Sequence, residues 1–126
     1  MDNEVTTPLI IAIGCFILIG LGFGFFAAML RKDKITRNGA IGIRTKATMA
    51  SDEAWIKGQR AGAPWVLAGA LAAAAATLVG LIALFATGFQ PSQVVNASVI
   101  LPGFASVIAM LVLSGTAASR AAKQAG

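Results

Sequence analysis

Few residues in this chain have types that do chemistry. The one adjacent pair of acids, Asp52 and Glu53, follows Ser51. Successive residues on a helix point about 100° apart, so this pair does not face itself as a general acid and base. A serine nucleophile needs a neighbouring base. The chain contains no histidine, and Ser51 has no other base nearby in sequence. The same absence removes imidazole as a proton shuttle or metal ligand. Cys15 is the single cysteine and sits in an apolar run, so neither a disulfide nor a thiolate metal site is expected. The "GAIG" at 39–42 is too short for a phosphate loop. No catalytic residue, cofactor or metal ligand is expected, and the chain reads as a non-enzyme. The remaining ordered polar segment is "NGAIGIRTKATMASDEAW", Asn38 to Trp55.

The elements around that segment are strongly apolar. Apolar residues make up 57% of the 126 positions and charged residues 12%, against about 25% charged in a soluble domain. A chain this small has too little interior to hide so much apolar surface. Residues 8–30 carry no charge, and 23 residues of helix reach roughly 33 Å, enough for the ~30 Å hydrocarbon core. The acids Asp2 and Glu4 precede this run where a signal peptide would be basic, so it reads as an uncleaved span. Residues 64–87 form a second span, with Pro64 suited to a helix start and Trp65 to an interface. Residues 97–115 form a third, interrupted early by Pro102. The expected fold is an all-α membrane protein, a single membrane domain over residues 1–126. It has three transmembrane helices and a short cytoplasmic interfacial helix, about 51–61, between the first and second.

Orientation follows from the basic residues. Eight of the ten Lys and Arg lie in the 31–63 loop and two in the tail after the third span. Loop and tail fall on one side of a three-span protein. The lysine and arginine bias places that side in the cytoplasm of a bacterial plasma membrane, with the N-terminus outside. The same loop is expected to meet anionic lipid headgroups. Bilayer proximity accounts for the charge, and nucleic acid is not an expected partner. Small residues mark helix packing: Gly20 and Gly24 in the first span, and Gly69, Ala73, Ala76 and Gly80 in the second. Their partner is another span of the chain, a second copy or a larger membrane complex. Thr77, Ser98, Ser106 and Ser114 are polar residues expected to bond their own helix carbonyls.

Within the loop, Asn38-Gly39 signals a turn, and "AIGIRT" alternates as an extended strand does, with Gly42 allowing close backbone approach. Ser51 is suited to cap a helix, with Asp52 and Glu53 in its favourable first turn. Trp55, Ile56 and Gln59 share a side, and Trp55 beside Ile56 is expected to dip into the lipid interface. Arg44 has three candidate partners: a nearby acid, a headgroup phosphate or another protein.

The order Asn38, Ile41-Gly42-Ile43-Arg44-Thr45, Thr48, Asp52-Glu53, Trp55, Arg60 and Gly62 resembles the signature of the SdpI family of small bacterial integral membrane proteins. Gln59 stands where that pattern often has histidine. The resemblance implies toxin immunity or membrane signalling, with a secreted peptide toxin or a cytosolic regulator as partner. A small accessory subunit of a larger membrane complex is the alternative. Homo-oligomerisation fits either reading.

Overall fold

Long apolar runs set where the helices lie, and short polar segments set where they end. The computed structural model describes residues 3–31 and 42–125. These form three α-helices, α1 (Asn3–Arg31), α2 (Asp52–Ala86) and α3 (Gln93–Ala125), with a 3₁₀ turn at Thr48–Ala50 before α2. All three helices are long and apolar enough to cross a membrane. The 35 residues of α2 measure roughly 52 Å and the 33 of α3 roughly 50 Å, well beyond a ~30 Å hydrocarbon core.

Helix α2 is the central element. It packs along both α1 and α3, while those two touch each other over a shorter stretch. Small residues permit this. Beside Gly20 of α1, the Ala70 carbonyl and the Ala73 methyl lie 3.6 Å from where a Cβ would stand. Gly69 receives the Phe23 ring, and Gly80 sits against Ile13 of α1 and Val99 of α3. Ala73 and Ala76 are buried on the same central helix. Gly103 of α3 leaves room for the Phe16 ring, which packs tilted on Phe104 at 4.6 Å between centroids. The outward faces keep Leu18, Phe25, Leu78 and Leu101 exposed, the apolar surface that requires lipid or protein around it.

The turn between α2 and α3 has a defined stop. Gly88 takes φ 62°, its N–H reaches the Phe85 carbonyl, and the Phe89 N–H reaches the Leu84 carbonyl at 2.9 Å. This is the paired bonding of a Schellman cap, in which glycine accepts the left-handed conformation. The Thr6 hydroxyl donates to the Phe89 carbonyl at 2.6 Å and fixes the start of α1 to this end. Ser92 then caps α3, accepting from the Val95 N–H.

Four expectations change. The separate short helix at 51–61 is absent: residues 52–61 are the first turns of one continuous α2. Pro64 lies inside that helix rather than opening the second span. Its ring removes one backbone bond, and burial of Trp55, Ala63 and Val66 on either side holds the helix together. Helix α3 starts before residue 97 and carries the former tail to Ala125, so Pro102 is interior to it. Gly24 makes no close approach to another span of this chain, since a Cβ there would meet nothing within 4 Å, so its expected packing partner is not one of these helices. Thr77, Ser106 and Ser114 do bond their own helix carbonyls, as expected.

Candidate functional site

The N-terminal turns of α2 and the C-terminal turns of α3 run together at one end of the bundle, where the Ser114 and Ala118 carbonyls approach Gly62 and Gly58. Residues 42–51 lie against these turns as a strap. A Cβ on Gly58 would stand 2.6 Å from the Thr48 methyl and 3.1 Å from the Ala118 carbonyl, so glycine admits strap and helix at once. Gly62 does the same for the Ile43 side chain and the Ser114 carbonyl.

Polar bonds then fix the strap. The Gln59 side chain is 3% exposed. Its Oε1 accepts the Ile43 N–H at 2.7 Å and its Nε2 donates to the Ile43 carbonyl at 2.8 Å. A primary amide carries one acceptor and one donor group in this arrangement, so it pairs with a backbone residue as a neighbouring strand would. Thr48, fully buried, accepts the Thr45 N–H at 2.9 Å, and its hydroxyl lies 2.9 Å from the Ile43 carbonyl it can donate to. The Thr45 hydroxyl accepts from the Thr48 N–H and from the Ser119 hydroxyl at 3.0 Å, which links the strap to α3. Ser51 closes the strap by capping α2, accepting the Ala54 N–H at 3.0 Å.

Gly42 and Trp55 form the apolar half. Gly42 has φ 136°, a conformation that side-chain-bearing residues rarely adopt. A Cβ there would stand 2.5 Å from the Trp55 ring. Trp55 is 2% exposed and packs with Ala27, Leu30, Ala63 and Val66. This corrects the interfacial expectation: the indole is covered by the end of α1 and by the strap. Ile56 points away from it and is 41% exposed. Above the ring, the Arg44 guanidinium carbon lies 5.5 Å from the centroid, a cation–π contact.

Of the residues singled out by sequence, the fold brings together Gly42, Arg44, Thr45, Thr48 and Trp55. Asp52 and Glu53 occupy the first turn of α2, and Glu53 pairs with Lys57 at 3.2 Å on the exposed face. Such surface pairs contribute little. Arg60 is exposed on α2, and Asn38 lies outside the described residues. Sequence reasoning missed Gly58 and Ser119, named Gly62 only as part of the family-like order, and treated Gln59 as a departure from that pattern. The four-residue spacing of Gly58 and Gly62, continued by Gly69 one heptad later, is the signal that marks the close helix pair. The hydroxyls of Thr45, Thr48 and Ser119 are joined to one another with no imidazole in the chain to activate them. Among the described residues, no group of three His, Cys, Asp or Glu could hold a metal ion.

The family model described as the SdpI/YfhL protein family matches residues 34–118. The chain belongs to this family. No curated protein and no solved structure matches it. The SdpI/YfhL match begins after α1 has ended and runs through the strap, all of α2 and most of α3. The matched region therefore holds both partners of every Gln59 and Thr48 bond in the strap.

Proposed function

We propose that this chain is a non-enzymatic resistance protein of the SdpI type in the bacterial plasma membrane, protecting the cell from a secreted peptide toxin. The observation that carries the reading is the strap itself. The family-like residues Gly42, Thr45, Thr48 and Trp55 hold a segment in one conformation and leave the Arg44 guanidinium exposed above the Trp55 ring. Polar groups buried inside the strap are occupied by one another, so its outer surface is the part left to recognise something. In this reading the strap is cytoplasmic and the N-terminus outside. Supporting that orientation, every described lysine and arginine lies at the strap end of the bundle.

The accessory-subunit alternative rested on the small size of the chain, its lack of chemistry and the small-residue face of the second span. Gly69, Ala73, Ala76 and Gly80 of that face are covered by α1 and α3 of the same chain, so resistance is the better-supported role. Expression of the chain in a susceptible bacterium, challenged with a panel of secreted membrane-active peptides, tests it. The expected result is survival against at least one peptide, lost on Arg44→Ala with membrane levels unchanged. Identical killing with and without the chain across the panel overturns the reading.

A further inference from the structure

The strap and the last turns of α3 enclose a second feature that the resistance reading does not use. Thr45, Lys46, Ala47 and Ala50 of the strap and Ser119 and Lys123 of α3 line an open pocket of about 590 Å³. We propose that this pocket binds a single phosphate group, carried by an anionic lipid headgroup or present as free phosphate, and that the bound group ties the strap to α3.

Three observations converge on that chemistry. First, the two lysines come from separate elements, and among the described residues no carboxylate pairs with either of them. Glu53, an acid at the same end, is engaged by Lys57. Lys123 in the last turn already answers the negative end of α3, so the second cation, Lys46, is what gives the pocket excess positive charge. Second, the hydroxyl floor is already organised. Ser119 donates to Thr45 at 3.0 Å, which holds the two walls at a fixed separation before any ligand arrives. Third, the depth is right. The apolar stretch of α3 ends at Gly115. Ser119 lies about 6 Å beyond it and Lys123 about 12 Å, at the rise of a helix. A headgroup layer is roughly 5–8 Å deep on each side, and a lysine stem reaches back along apolar surface to meet it. Ala47 and Ala50 supply apolar surface in the lining of the same pocket.

Phosphate oxygens accept from ammonium donors, and with the Ser119 proton already given to Thr45 the two lysines are the donors a phosphate meets here. A group seated here would offset the mutual repulsion of Lys46 and Lys123 and add a second link between strap and α3 beside the Ser119–Thr45 bond. The proposal is independent of the resistance role.

The test uses the full chain in detergent micelles, offered equal amounts of phosphatidylglycerol and phosphatidylcholine, with retained lipid counted by native mass spectrometry. One phosphatidylglycerol is expected to stay on the wild type. With lysines near an anionic surface each contributing about fivefold, the double variant Lys46→Ala/Lys123→Ala is expected to lose retention by about 30-fold. Displacement of the lipid by added inorganic phosphate identifies free phosphate as a sufficient ligand; retention despite it identifies the headgroup. Unchanged retention by the double variant overturns the proposal. So does an equal loss in Lys57→Ala, which carries the same charge at the same end outside the pocket. Circular dichroism confirms that the variants keep their helices.

Discussion

Replacing Gln59 by leucine removes both bonds to Ile43 while keeping a side chain of similar size. The two bonds, at 2.7 and 2.8 Å, are each worth about 1 kcal/mol net, and a backbone N–H stranded in a half-buried site costs about 1 kcal/mol more. The Ile43 carbonyl retains Thr48 as a donor, so only the N–H is stranded. The strap is then expected to open about 3 kcal/mol more easily than in the wild type, roughly a 150-fold rise in its open population. Backbone hydrogen exchange reads this directly, because local opening sets protection where the rest of the fold stays closed. The Ile43 and Thr45 amides are expected to exchange roughly 100-fold faster, while amides around Val107 in α3 keep their rates. Ile43 protection within about twofold of the wild type would refute the reasoning, since it would mean that the Gln59 amide does not hold the strap.

Gly42→Ala is expected to loosen the strap by about 2 kcal/mol, because the backbone angle suits glycine and the added methyl meets the Trp55 ring; in a Trp65→Phe background, Trp55 emission shifts to the red, and an unshifted spectrum counts against the contact. Trp55→Ala empties a fully covered site and is expected to cost about 3–5 kcal/mol, seen as a lowered midpoint of thermal unfolding in detergent. A midpoint equal to that of the wild type would return Trp55 to the lipid interface. A cysteine placed after Gln124, in a Cys15→Ser background, is expected to resist an impermeant thiol reagent in intact cells and to react after lysis; labelling of intact cells would reverse the proposed orientation.

The three long apolar helices were legible because runs of uncharged residues leave little else to form. Their ends were less legible. Pro64 resembles a helix start, yet a proline removes one hydrogen bond, and buried contacts at Trp55, Ala63 and Val66 outweigh that loss. The capping by Ser51 was readable because it is a local bond between near neighbours. The strap was not, because its decisive partners are remote: Gln59 bonds backbone atoms 16 residues away, and Ser119 bonds a hydroxyl 74 residues away. Sequence gave Trp55 and Gly42 as separate points of interest. Their contact depends on how residues 43–51 turn back against the start of α2, which no periodicity encodes. Ile56 shows the opposite error, since adjacency to Trp55 suggested a shared face and the helix turns it outward.

The two distances along the chain also impose an order on assembly during synthesis. Ile43 meets Gln59 only 16 residues later in the chain, so both partners of the first clasp have been made before α3 begins. The Thr45 hydroxyl waits for Ser119, 74 residues later, near the end of α3. The strap is therefore half-built by local sequence and completed only by α3. A chain stopped before α3 would lack the Ser119 hydroxyl, and its strap would keep the Gln59 clasp without the link to α3.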